Sequence, residues 1–220
     1  MDQKIFYEKY WSRSGGSPAE GGFALEERRS FLRDATLSLP KDQKVIDVGC
    51  GKGDFVRYLD ELGFHAFGLD LSLEALHKAR STRANDSYVA ASLEEGLPFS
   101  DGSFGAIFCS EVLEHIFSVH SALSELNRIL LSEGVLILTV PYHGVAKDLA
   151  IAAFGFERHF NPNISHIRFF TRKSLAANLN RSGFEIVAWK GIGRGYPFWM
   201  SLGVVAKKVS SAGHEPEIMG

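Results

Sequence analysis

Apolar runs and helically spaced apolar residues alternate along this chain from residue 44 onwards. KVIDV leads into a segment where Phe55, Val56, Leu59 and Leu62 recur at helical spacing; HAFGLD follows, then Leu73, Leu76 and Ala79. The β-α-β-α order continues through SYVAAS (87–92), FGAIFC (104–109) and VLILTV (135–140). The last of these is apolar without interruption, which fits a strand covered on both faces of a parallel sheet. Between it and FGAIFC, Val119, Ala122, Leu123, Leu126, Ile129 and Leu130 mark a helix that Ser132 and Gly134 should close. A further helix over 172–182 takes Thr171 as its N-cap and Gly183 as its stop. FEIVAWK and MSLGVVAKK are joined by a glycine-rich stretch without helical pattern, so they should pair antiparallel. The expected fold is α/β: a doubly wound, mostly parallel sheet of about seven strands with an antiparallel C-terminal edge hairpin.

Three pieces fall outside that frame. Residues 1–22 are polar, aromatic and glycine-rich, and FALEERRSFLRDATLSL (23–39) reads as an amphipathic helix ended by Pro40. Residues 141–170 show no clear period, and 210–220 read as a frayed tail. The expected organisation is one domain over 1–220, with 1–40 as an N-terminal aromatic segment and helix and 141–170 as an insertion. A length of 220 residues allows a large core, and a net charge of -2 lacks the basic footprint of a nucleic-acid binder. MDQKIFYEKYW has neither the charged start nor the apolar stretch of a signal peptide, and no run is long enough to span a bilayer. A cytoplasmic protein is expected. Cys50 and Cys109 have no metal-pair spacing and form no disulfide framework, so both should be reduced thiols.

The stretch VIDVGCGKGDF (45–55) sets Gly49, Gly51 and Gly53 at the first βα turn, where a ligand can lie against bare main chain. A dinucleotide fingerprint, GxGxxG, would need glycine where Asp54 stands, and that carboxylate would sit near a pyrophosphate. The pattern present is DxGxGxG, opened by Asp47.

From about Lys44 to Lys208 these features together resemble the class I S-adenosylmethionine-dependent methyltransferases, in whose first motif VIDVGCGKG would take part. The resemblance implies a Rossmann-like methyltransferase fold and S-adenosyl-L-methionine as cofactor, leaving S-adenosyl-L-homocysteine as product. It implies that Gly49, Cys50, Gly51 and Gly53 wrap the methionine part and that Asp47 helps hold its ammonium group. Asp70, ending FGLD 23 residues after Asp47, would bind both ribose hydroxyls, for which a carboxylate has the necessary acceptors. Leu71 would lie against the adenine. ASLEEGLPFSDGSF resembles the loop after the third strand, with Ser92 and Leu93 at the adenine edge. FGAIFCSEVLEHI resembles the fourth-strand motif, with Cys109 near the amino-acid end and Glu111 to His115 opening towards the acceptor. Ser92 stands where many members carry aspartate, and so does Gly105; the second departure has no evident reason in the sequence.

For a hydroxyl acceptor a general base helps, and a neutral imidazole can serve near neutral pH. His143, directly after the fifth strand, comes first, then His115, then His166 in SHIRFFT. Glu111, Glu114 and His115 have ExxEH spacing, and with His166 they resemble methyltransferases that bind a divalent metal; many relatives with the EH pair bind none, and no metal is assigned here. Between Pro141 and Lys173, Lys147, Arg158, Arg168, Arg172 and Lys173 outnumber Asp148 and Glu157, a local balance of +3 that would draw an anionic or hydroxyl-rich small molecule. Phe154, Phe156, Phe160, Phe169 and Phe170 either wall an acceptor pocket or bury the insertion against the sheet. Tyr7, Tyr10 and Trp11 pose the same choice; the family often closes such an N-terminal segment over the cofactor as a lid. The function expected is methyl transfer to a small molecule, at oxygen. The alternatives are a non-catalytic S-adenosylmethionine-binding protein and an NAD(P)-dependent oxidoreductase, the second disfavoured by Asp54.

Overall fold

The computed structural model describes residues 3–14, 23–82, 87–155 and 167–209. Helices α1 (Gln3–Ser14) and α2 (Phe23–Ala35) precede the sheet. Then come β1 (Lys44–Val48), α3 (Asp54–Glu61), β2 (His65–Asp70), α4 (Leu73–Thr82), β3 (Tyr88–Ala90) and β4 (Phe104–Ser110). A 3₁₀ turn at Leu113–His115 leads to α5 (Val119–Ile129) and β5 (Leu130–Pro141). Helices α6 (Val145–Phe154) and α7 (Arg172–Arg181) and strands β6 (Phe184–Ile192) and β7 (Ser201–Lys208) complete the fold.

The strand order is β3-β2-β1-β4-β5-β7-β6; β7 runs antiparallel to both neighbours and the other ladders are parallel. The unbroken apolar runs have their physical reason here, because both faces of the central strands are covered. Val45, Ala106, Phe108 and Ile137 point to the side of Phe31 and Leu32 of α2, Val56 and Leu59 of α3 and Leu76 of α4. Ile46, Ile107, Leu136 and Leu138 point to the other, against Leu123 and Leu126 of α5 and Leu175 and Leu179 of α7. An eight-residue helix such as α3 is marginal alone. Burying Val56 and Leu59, at about 1.5–3 kcal/mol each, is what holds it.

Several boundaries differ from the expectation. The third strand is only Tyr88–Ala90. Helix α2 stops at Ala35, well before Pro40, because the Thr36 hydroxyl donates to the carbonyls of Leu32 and Arg33 and so competes for the acceptors of the last turn. Helix α5 stops at Ile129: Leu130 is extended and fully buried, already paired with Phe104, and the turn before β5 proper is made by Glu133 at φ +61°. The insertion, without visible period, nevertheless holds α6. Gly105 also has a reason: a Cβ there would lie 2.2 Å from Gln43 Oε1, so the Gln43 side chain occupies the space an aspartate would need. The capping box of α7 is present, with the Thr171 and Ser174 side chains each bonded to the other's backbone N–H.

Candidate active site

The carboxyl ends of β1, β2 and β4 lie side by side, where open α/β sheets bind ligands. Between β1 and α3 the chain passes through Gly49, Gly51 and Gly53 at φ of +79°, +52° and +78°. The loop is pinned to β2: the Gly49 and Cys50 N–H groups donate to the Leu69 carbonyl at 2.7 and 2.9 Å, and the Gly51 N–H to Asp70 Oδ2 at 2.8 Å. Its edge has no room for side chains. A Cβ on Gly49 would lie 2.4 Å from Val112 Cγ2, and one on Gly51 2.8 Å from the Trp11 ring.

Asp70 ends β2 with Oδ1 accepting from the Ser72 N–H at 2.9 Å, so each of its oxygens already serves the local backbone. Each keeps further acceptor capacity for a ligand hydroxyl. Burial raises its pKa against the lowering effect of those two hydrogen bonds. Asp47 is buried and its Oδ2 has no hydrogen-bond partner among the described residues. Burial, then Asp70 and Asp54, push its carboxyl well above the usual range. Glu114 is fully buried with neither carboxyl oxygen hydrogen-bonded among the described residues, and burial with the nearby Glu111 raises it well above as well. Glu111 sits at φ +55°, a sparsely populated conformation for a non-glycine residue, and accepts from Thr139 Oγ1 at 2.8 Å. Its pKa is raised by burial against the charge of Arg28. A positively charged ligand would stabilise the ionised form of these buried carboxyls, whereas an anionic pyrophosphate would disfavour it further.

Asp54 also acts on this site through its effect on Asp47, although it has cationic partners of its own. It is paired with Arg57 and, at 3.4 Å, with Lys52. The thiols of Cys50 and Cys109 are buried in the two cores, and burial pushes both well above the ordinary thiol range. Only the main chain of Cys50 belongs to the loop's edge. Leu93 likewise packs in the core, while Leu71 and Ser92 line a cavity of about 410 Å³ together with Ala90, Ala91, Gln3 and Lys4.

Helix α1 lies across this end of the sheet. Gln3 Nε2 donates to the His115 carbonyl at 2.5 Å, and the Tyr7 ring meets the His115 ring edge-on at 5.9 Å. One turn on, the Glu8 carboxylate accepts from Ser72 Oγ at 2.9 Å and from the N–H groups of Leu73 and Glu74 at 2.8 and 3.1 Å. It thereby caps α4. Trp11 is buried beside Gly51, and its carbonyl accepts from Lys78 Nζ. The aromatics of the N-terminal segment are thus brought to the crevice.

His143 follows the end of β5, buried, with Nδ1 3.2 Å from Asp148 Oδ1 and its ring edge-on to Phe169 at 4.8 Å. His115 stands in the 3₁₀ turn, with Nε2 3.8 Å from Glu114 Oε1. His166, Phe156 and Phe160 lie outside the described residues. Phe170 is buried in the core, whereas Phe154 and Phe169 are exposed. Among the described residues no three acidic, cysteine or histidine side chains are grouped to hold a metal. The ExxEH spacing fails to converge because it spans a kink and a 3₁₀ turn instead of one α-helical face: Glu111 turns to Thr139 and Glu114 into the interior.

Sequence reasoning missed Glu8, whose partners lie more than sixty positions away, and Val112 against Gly49. It counted Asp148 only as a charge; the signal available was its place in the first turn of a helix five residues after His143.

A family model described as a methyltransferase domain matches residues 24–188. Among curated proteins, a malonyl-[acyl-carrier protein] O-methyltransferase of Pseudescherichia vulneris is 29% identical over 167 residues, covering 76% of this chain and 62% of that protein. The mitochondrial arginine-hydroxylase NDUFAF5 of Homo sapiens is 28% identical over 184 residues, 81% of this chain and 52% of its own length. This chain therefore spans less than two thirds of either relative. Among solved structures, a chain of the complex between the Haloferax volcanii Trm112 methyltransferase activator and a methyltransferase superposes with a TM-score of 0.72 at 19% identity. That match covers 96% of this chain and 99% of the other, a likeness of fold.

Proposed function

Because the chain belongs to the methyltransferase-domain family and has its class I fold, we propose that it transfers a methyl group from S-adenosyl-L-methionine to the oxygen of a small molecule. The observation that carries this reading is the buried Asp47 carboxyl, with an oxygen left unpaired beside a loop of bare main chain. A cofactor with positive charge on sulfur and on its amino group suits that position; a dinucleotide with a pyrophosphate does not. The same crevice speaks against the oxidoreductase alternative, with Asp47 and Glu114 adding to the part the sequence had given to Asp54.

In this reading Gly49 and Gly51 present main chain to the methionine part, Asp47 takes the ammonium and Asp70 the ribose hydroxyls. Leu71 and Ser92 border the adenine in the cavity of about 410 Å³. The cofactor supplies an electrophilic methyl carbon. The protein's own part is alignment and exclusion of water. Helix α1, with Trp11, is the lid over that end, and residues 141–170 form the acceptor side. Asp148 orients His143 through Nδ1, and His143 is the group that would take a proton from an acceptor hydroxyl. The name of the O-methyltransferase relative agrees with oxygen as the acceptor atom, while the hydroxylase relative is a reminder that similar domains serve other chemistry. Buried, protonated Cys50 and Cys109 fit a reducing compartment, the cytoplasm.

Calorimetry with S-adenosylmethionine, S-adenosylhomocysteine and NADH tests the cofactor, and methyl release with a panel of hydroxylated acceptors tests catalysis. Asp70→Ala should weaken cofactor binding first, whereas His143→Ala should lower turnover and leave cofactor affinity unchanged. Equal loss of cofactor affinity in both variants contradicts the roles. Cofactor binding with no methyl release on any acceptor favours a non-catalytic binding protein.

A further inference from the structure

Helix α6, VAKDLAIAAF, is folded inside out. A surface helix normally buries its apolar stripe and shows its polar residues to water. None of the residues of α6 is buried, and Val145, Leu149 and Phe154 are 80%, 65% and 92% exposed. Its two polar residues are engaged beside the helix, neither of them buried. Lys147 Nζ donates to the Tyr142 carbonyl at 2.7 Å, and Asp148 holds His143. The neighbouring loop between β6 and β7 continues the pattern: Met200, whose carbonyl lies 3.4 Å from Lys147 Nζ, is exposed together with Tyr196 and Phe198. No contact within the described fold accounts for this much apolar surface on one rim.

The charges around it are one-sided. In the described parts of the insertion, the first turn of α7 and this loop, the cations are Lys147, Arg168, Arg172, Lys173 and Arg194. The only carboxylate among them is Asp148, which is engaged with His143. The chain as a whole carries -2, so the basic rim is a local feature opposed to the overall balance. Exposed aliphatic and aromatic side chains bordered by Lys and Arg are what an interfacial helix presents to anionic lipid. Ten residues make about 15 Å of helix, half of what a bilayer core requires, so such a helix lies in the surface and does not cross it. A second copy fits less well, since a two-fold contact would set this cationic rim against itself.

We propose that α6 and the β6–β7 loop form a docking face for an anionic phospholipid surface, with Val145, Leu149 and Phe198 entering the interface and Arg194 and Lys173 facing the headgroups. Asp148 of this helix holds His143, so an acceptor would reach that pair from the lipid. This corollary rests on the methyl-transfer reading; the docking itself does not.

The test is flotation of the full chain with phosphatidylcholine vesicles, alone and with phosphatidylglycerol admixed. The expected result is flotation with the anionic vesicles only, weakened by salt. Leu149→Glu and Val145→Glu should each abolish it with unchanged circular dichroism and cofactor calorimetry. Lys173→Gln and Arg194→Gln should each lower partitioning about five-fold, the worth of one cation near an anionic surface. No flotation at low salt overturns the proposal, and so does flotation that survives Leu149→Glu. A dimer seen by light scattering that Leu149→Glu dissolves, without flotation, assigns the face to a second copy; binding to an acidic carrier protein, without flotation, assigns it to that protein. If the vesicles bind while no methyl release is found, docking stands and the methyl-transfer reading falls.

Discussion

Gly49→Ala isolates what the bare main chain of the cofactor loop contributes. Gly49 has φ +79°, and its N–H is committed to the Leu69 carbonyl at 2.7 Å, so the backbone there has little freedom to move away. An alanine meets two separate costs. Holding an L-residue in the left-handed region takes about 1–2 kcal/mol. The added Cβ would lie 2.4 Å from Val112 Cγ2, and overpacking of that kind takes about 1–3 kcal/mol more. Together the loss is about 2–5 kcal/mol, from a domain stability on the order of 5–15 kcal/mol, so the variant should still fold. Urea unfolding followed by far-UV circular dichroism measures it. Adding Val112→Ala removes the offending methyl and leaves the φ cost in place. The double variant should therefore recover about 1–3 kcal/mol relative to the sum of the single changes. A Gly49→Ala loss below about 0.5 kcal/mol, or strictly additive losses in the cycle, would show that Val112 does not close the loop's edge as described.

Glu114 has a pKa raised by burial, so its contribution is present in full below the ordinary carboxylate range and is lost as pH rises through the raised value. Stability should fall with rising pH above about 4.3, by up to about 1.4 kcal/mol per pH unit for one proton. Glu114→Gln should make that slope shallower in denaturation series across pH, and coincident slopes would refute the assignment. The Glu8 carboxyl behaves in the opposite sense: slight burial raises its pKa, but the hydrogen bonds from Leu73, Glu74 and Ser72 prevail and lower it. Its contribution is held above the ordinary range and lost as pH falls through the lowered value. Glu8→Gln should cost about 0.5–2 kcal/mol of α1 docking, read as faster amide exchange over residues 3–14. Unchanged exchange there would remove Glu8 as the latch of α1.

The frame of the fold was legible because a sheet covered on both faces leaves an unmistakable trace. KVIDV, FGAIFC and VLILTV are mostly apolar, with Asp47 and Thr139 as buried polar exceptions, and the helices between them carry one apolar stripe each. The ends were less legible where a single residue overrides the pattern, as Thr36 does for α2 and the extended Leu130 does for α5. Helix α6 escaped for a different reason: a period is visible only when one face is polar and the other buried, and in α6 no residue is buried and apolar side chains such as Val145, Leu149 and Phe154 are exposed. The candidate site divides in the same way. Its loop and strand-end carboxylates follow from local spacing, since β1, its glycine turn and β2 are consecutive. Glu8 on the start of α4, Trp11 beside Gly51 and Val112 against Gly49 depend on which distant segments the sheet order brings together. No periodicity in residues 1–22 announces that a glutamate there will close a helix end 64 positions on, because the requirement belongs to the α4 N–H groups and not to α1. The sequence around an orphaned helix end states that a partner is needed; only the assembled sheet states which one arrives.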